Sequence, residues 1–291
     1  MTHTEPTSII CADSVPLSGR LFVPDAPKVA VIISSGTGFP QQFYEPLARH
    51  FAARGGVVLT YDYRGIAGSS AGVPGPEVDI PDWGRLDLDA AIGFLRTRFP
   101  DLPVTHLGHS VGGHIVGFAK RQAEVARHAW ICSGGGTWFR HWPSRWPMEL
   151  YFWWVLGPSS IARYGHVRAK GGWRGSPLPG KAFRTWRRWS HRRGYYRREL
   201  RDGLQPHHFE KVEAPVASWS FTDDGIATPA AVGDILECYP NADVSMVLRA
   251  PADYGKRKIG HQGAFRPGFE PLWDEWWSWL AKNPQEGREM P

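Results

Sequence analysis

The chain has 291 residues, 42% of them hydrophobic and 21% charged, and a net charge of +6, a globular composition long enough for one large domain or a domain with an insertion. Three widely separated cysteines, Cys11, Cys132 and Cys238, lack metal-ligand spacing and argue for a reduced, cytoplasmic protein and against a disulfide scaffold, with no chemistry assigned to them. The N-terminal Met-Thr-His-Thr-Glu-Pro-Thr has no basic start followed by an apolar run, so no secretory signal is expected; the longest apolar cluster, Met148 to Gly157, is about half the roughly 20 residues of a membrane-spanning helix.

Residues Thr7 to Pro24 read as an opening β-hairpin. Lys28 to Ser34 is a continuous apolar strand of the kind that parallel sheets bury on both faces, and it ends in Ser35-Gly36-Thr37-Gly38-Phe39-Pro40. A helix is expected over Tyr44 to Arg54, a second buried strand over Val57 to Tyr61, then a Pro/Gly-rich loop. A helix from about Asp82 to Phe99 follows, with Leu88, Ile92, Leu95 and Phe99 at helical spacing. Short strands at Val104 to Leu107 and Ala129 to Ser133 continue the alternation, which argues for an open, mostly parallel sheet with helices on both faces. From Gly134-Gly135-Gly136 to about Pro206 the pattern stops, and this part reads as a helical insertion without strands. Alternation resumes with a strand at Val216 to Phe221, a helix at Pro229 to Cys238, a strand at Val244 to Arg249 and a helix at Pro271 to Ala281. The expected division is a core over 1–136, a Trp/Arg-rich cap over 137–210 and the rest of the core over 211–291.

Between the strand at Val104 and the segment Gly-Gly-His-Ile-Val-Gly stands Gly108-His109-Ser110-Val111-Gly112. This is a G-x-S-x-G pattern in strand-turn-helix context, where a tight turn pushes a serine hydroxyl out of the sheet and side chains two positions either side would collide with neighbours. The Val111 amide, just after the serine at a helix N-terminus, is one candidate donor to an oxyanion. A serine hydroxyl also needs a histidine to take its proton and a carboxylate to orient that histidine.

Together with Ser35-Gly36-Thr37-Gly38, Asp62-x-Arg64-Gly65-x-x-Gly68-x-Ser70 and a late Asp and His, these residues resemble the α/β-hydrolase superfamily, in particular its capped lipases, esterases and S33-type serine peptidases. The resemblance implies an α/β-hydrolase fold and a Ser-Asp-His triad in that chain order. It makes Ser110 the nucleophile. Thr222-Asp223-Asp224-Gly225-Ile226-Ala227-Thr228-Pro229 is similar to the family's acid loop, with Asp224 preferred and Asp223 as the alternative. His261, in Gly260-His261-Gln262-Gly263, falls where the family places its base, and the Thr37 amide aligns with its second oxyanion donor. The second motif has one residue more than the usual D-x-R-G-x-G before Gly68. His109 and His114 read as packing or supporting groups.

The segment Thr137–Arg201 holds eight of the fifteen tryptophans and a net charge of +13, against −7 for the remainder. It reads either as a cap whose aromatic face roofs an acyl pocket, with arginines toward an anionic substrate group or membrane surface, or as an amphipathic lid with a solvated basic face. Phe39, Trp138, Trp142 and Trp153 are the candidates to line that pocket. Nucleic-acid binding is disfavoured, because no binding module accompanies the basic stretch. No metal or cofactor is expected: His141, His166 and His191 lack ligand spacing, and no dinucleotide or phosphate-binding fingerprint is present. The expectation is a cofactor-independent serine hydrolase of carboxylic esters or thioesters. The alternatives are an S33-like peptidase or amidase, and a non-catalytic protein acting through its basic aromatic cap at anionic membranes.

Overall fold

The computed structural model describes residues 2–71, 77–171 and 173–282; part of the Pro/Gly-rich loop, 72–76, lies outside them. The main sheet has eight strands: β1 (Thr2–Ile10), β2 (Pro16–Pro24), β3 (Val29–Ser34), β4 (Gly56–Tyr61), β5 (Val104–His109), β6 (Val125–Ile131), and, beyond the insertion, β9 (Val216–Phe221) and β10 (Val244–Arg249), with β7 (His166–Val167) and β8 (Leu178–Pro179) forming a separate two-stranded ribbon. The order is β1-β2-β4-β3-β5-β6-β9-β10; β1 and β2 run antiparallel to their neighbours and the rest are parallel.

Every residue of β3, β4, β5 and β9 is buried, as continuous apolar runs require when both sheet faces are covered. Alternate side chains feed two cores. Val31, Ile33, Leu107 and Ile131 pack with Leu47 and Phe51 of the helix Glu45–Ala52 and with Trp273 and Trp276 of the helix Glu270–Leu280. On the other face Ile32, Leu59, Val104 and Trp130 pack with Ile92 and Leu95 of the helix Asp89–Arg98 and with Ile235 of the helix Pro229–Leu236. This is the open, mostly parallel sheet with helices on both faces that the alternation of elements implied.

Local differences have physical causes. The hairpin strand starts at Thr2, earlier than Thr7, because all nine residues of β1 find partners on β2. The segment after Ser110 holds only one α-turn, Val111–His114, followed by 3₁₀ geometry at Val116–Phe118; three glycines in seven residues lower its helical propensity. The insertion is not strand-free, since it contains β7 and β8. The extra residue of the second motif is absorbed by a 3₁₀ turn, Ala67–Ser69, and the motif acts as a clamp: the Asp62 carboxylate accepts from the Gln41 and Gly68 amides at 2.7 and 3.1 Å. Arg64 pairs with Asp87 and Asp13 at 2.6 and 2.7 Å. Among the described residues no helix is long and apolar enough to cross a membrane.

Candidate active site

The C-terminal ends of β5, β6 and β9 and the segment after β10 converge on one point. Ser110 follows β5 with φ 52° and ψ −114°, a left-handed backbone that non-glycine residues avoid and that marks a strained turn. Its amide donates to the Ile131 carbonyl at 2.9 Å. The flanking glycines are required by close approach: a Cβ on Gly108 would lie 2.6 Å from the Gly112 carbonyl carbon, and one on Gly112 would lie 2.4 Å from the Ser34 carbonyl oxygen.

Ser110 Oγ stands 3.2 Å from His261 Nε2, and His261 Nδ1 donates to Asp224 Oδ2 at 2.8 Å. Asp224 Oδ1 accepts from the Ile226 and Ala227 amides at 2.8 and 3.1 Å. Burial acts to raise the Asp224 pKa, but the neighbouring His261 and these hydrogen bonds outweigh it and hold the carboxyl well below the usual carboxylate range. Asp224 is therefore an anion at neutral pH, placed to fix the imidazole with Nε2 free to accept. The adjacent Asp223 faces elsewhere: it accepts from the Ile259 and Gly260 amides at 2.8 and 3.0 Å and fastens the segment that carries His261.

His109 ties the base to the loop after β3. The Gly36 amide donates to Tyr44 Oη at 2.8 Å, Tyr44 Oη lies 2.6 Å from His109 Nδ1, and His109 Nε2 lies 2.9 Å from the His261 carbonyl. A carbonyl only accepts, so Nε2 carries the proton; Nδ1 then accepts from the Tyr44 hydroxyl. Burial, then the nearby His261, push the His109 pKa down to about 3, so the ring stays neutral. Sequence reading made His109 a supporting group but gave no partner, because Tyr44 stands 65 positions away.

Thr37 and Val111 both flank Ser110, and among the described residues neither backbone amide has an acceptor. Such amides, next to a nucleophile, suit the developing charge of an oxyanion. The loop is held from the cap side by the Ser176 amide, which donates to the Gly38 carbonyl at 2.7 Å.

Above Ser110 opens a cavity of about 630 Å³ whose wall includes Phe39, Trp142, Met148, Phe152, Trp153 and Trp186. Trp138 is a correction: it is not part of the wall, because its ring packs edge-on against Phe139 and Trp146 at 5.6 and 5.4 Å. The count of aromatics in the insertion did not reveal which face each one takes. The wall carboxylates other than the Asp223 and Asp224 pair reduce to Glu149, which is held by His141 at 2.7 Å and Arg145 at 3.0 Å.

Cys132, to which the sequence assigned no chemistry, lies at this centre. It follows β6 with φ 54°, and its sulfur is within 4.8 Å of donor atoms of both Asp224 and His261. Burial, then the facing Asp224 carboxylate, push its pKa well above the ordinary thiol value, so it is a protonated thiol.

The family description "Serine aminopeptidase, S33" matches residues 25–166. A monoglyceride lipase homologue of monkeypox virus is 32% identical over 91 residues, 31% of this chain and 32% of the relative, so the match spans about a third of that protein's length. Among solved structures, a soluble variant of the Saccharomyces cerevisiae monoglyceride lipase with a substrate analogue superposes with a TM-score of 0.66 at 14% identity, covering 96% of this chain and 94% of that one. A Pyrococcus furiosus esterase gives 0.58 at 15% identity, covering 96% and 90%. At such identities these structures speak to the fold alone, and together with the family match over residues 25–166 they lead to one conclusion: the chain has the α/β-hydrolase fold.

Proposed function

We propose that the protein is a cofactor-independent serine hydrolase acting on carboxylic esters of small acyl substrates. The observation that carries this reading is the unbroken hydrogen-bonded series Asp224, His261, Ser110, at 2.8 and 3.2 Å, on the floor of an aromatic cavity. His261 Nε2 takes the Ser110 proton as Oγ attacks the carbonyl carbon, and the oxyanion is held by the Thr37 and Val111 amides. Collapse of that intermediate breaks the bond to the leaving group, which receives the proton from His261. Water, deprotonated by the same imidazole, then hydrolyses the acyl-enzyme and restores Ser110. The series needs no metal.

Ester is favoured over N-terminal peptide cleavage by the charges on the wall. An aminopeptidase needs an anionic group for the free ammonium of its substrate. Among the described residues, Glu149, Asp223 and Asp224 are all engaged by cations or amides, whereas the wall cations Arg174 and Lys258 have no ion-pair partner. Thioesters share the same chemistry. The test is hydrolysis of p-nitrophenyl esters of graded chain length beside aminoacyl p-nitroanilides. Turnover of esters with a chain-length optimum is expected; turnover of the anilides alone would favour the peptidase.

A second reading, contact with an anionic membrane surface, draws on the outer side of the cap. Trp154 and Val155 are 55% and 53% exposed, and the Arg187 guanidinium lies 3.9 Å above the Trp154 ring. Aromatic and aliphatic tips mixed with arginine suit a lipid interface. Co-sedimentation with phosphatidylserine vesicles, reduced by salt and by Trp154→Ala, would support it; equal recovery with neutral and anionic vesicles would not.

A further inference from the structure

We infer that Cys132, Asp224 and His261 form a binding site for a thiophilic divalent cation of the zinc or cadmium type, and that filling it switches the hydrolase off. Thiolate sulfur, imidazole nitrogen and carboxylate oxygen are the three donor types that zinc takes from proteins. Here one of each converges, all donor atoms within 4.8 Å of one another. Donors on a tetrahedral zinc stand roughly 3–4 Å apart at bond lengths of about 2.0–2.3 Å, so closure needs side-chain shifts on the order of 1 Å. The cation reaches the site from the cavity, where His261 is 18% exposed and Asp224 lies behind it at 1%.

The backbone prepares this arrangement. Cys132 holds a left-handed conformation, fixed by its own amide donating to the Trp219 carbonyl at 2.8 Å and by the Gly134 amide donating to its carbonyl at 3.0 Å. A non-glycine residue in that conformation is strained. Residues 132, 224 and 261 follow β6, β9 and β10 in turn, which explains why linear spacing showed no ligand set.

Binding proceeds without redox change. The Cys132 thiol loses its proton to water as the sulfur–metal bond forms. The His261 proton leaves Nδ1, whose lone pair goes to the cation, and a solvent proton takes up Nε2, so the ring stays neutral. One proton is released per cation bound. Asp224 exchanges its hydrogen bond for coordination, and Nε2, now protonated, cannot accept the Ser110 proton. Substrate still enters the cavity, so inhibition falls on kcat and leaves KM near its original value.

The site itself stands on the donor geometry, and only its effect on turnover rests on the hydrolase reading. The experiment titrates cadmium chloride, and in parallel zinc chloride, into the full chain in a non-chelating buffer. Two readouts are taken: ester hydrolysis and the ultraviolet cadmium–thiolate charge-transfer band. Wild type should show one equivalent of the band, retained in Cys11→Ala and Cys238→Ala, and lose activity in step, with recovery on adding EDTA. In Cys132→Ala the band should vanish, and the inhibitory concentration, scored against that variant's own metal-free rate, should rise by on the order of 100-fold. Should that variant fail to fold, Cys132→Ser serves, with the same loss of the band. The inference is overturned by absence of the band in wild type, or by undiminished inhibition of either variant. Metal-free protein that hydrolyses no ester would count against the proposed function while the band still judges the site.

Discussion

The two ends of the cavity are held by different forces. On its floor each reacting group is fixed by directional bonds: Asp224 by two amides, His261 by Asp224 and His109, and the segment bearing His261 by Asp223. In the cap the aromatic side chains on the wall meet ring on ring, as in the edge-on pairs of Trp153 with Trp186 at 4.8 Å and of Phe152 with Phe183 at 5.3 Å. Ring contacts are broad minima that tolerate a change of partner, whereas a missing hydrogen bond at the floor leaves a buried polar group unpaired. Under the proposed function the floor carries the reaction and the cap the choice of substrate, so substitutions below should lower kcat and substitutions above should move KM.

Ser110→Ala is the sharpest break, with an expected loss of about 10⁶-fold in kcat and a Tm within a few degrees of wild type. Asp224→Asn should cost about 10⁴-fold, because the amide no longer imposes the required tautomer on His261; a loss below tenfold would show that another carboxylate orients the ring. Acid should act on the buried histidines as well. His109, His114 and His128 are buried, and burial pushes each pKa down to about 3, from about 6.5 in the unfolded chain. Stability from each is fully present above pH of about 6.5 and is lost as pH falls toward 3, reaching about 2 kcal/mol per histidine at pH 5, or roughly 30-fold in the folding equilibrium. Circular dichroism against pH should show unfolding well above pH 3.5; full retention of structure there would contradict this. Asp223→Ala, which frees the His261 segment, should lower kcat by roughly 10–100-fold with KM little changed. Smallest of all, Trp142→Ala in the wall should raise KM for long-chain esters by up to about tenfold and leave kcat alone; a fall in kcat instead would erase the division between floor and cap.

Much of this was legible in the chain. Continuous apolar runs such as Val29–Ser34 declare a strand buried on both faces, and the glycines around Ser110 declare a turn with no room for side chains. The order of the serine, the paired aspartates and the histidine pointed to residues that the fold brings within hydrogen-bond distance. What stayed hidden depends on tertiary placement. Nothing local distinguishes Trp138, packed on Trp146, from Trp142 on the wall. The two-residue strands β7 and β8 are too short to carry a period. Cys132 reads as one more small core residue until the ends of β6 and β9 set it beside Asp224.

The reaction itself is tested most directly by intact-mass measurement after exposure to a fluorophosphonate ester, which reacts only with a serine that a neighbouring base has activated. The account predicts a single adduct per chain, mapped to Ser110, and slower labelling by several orders of magnitude in folded His261→Ala. A folded wild-type protein that stays unmodified, or that is labelled at Ser110 equally fast without His261, would contradict it.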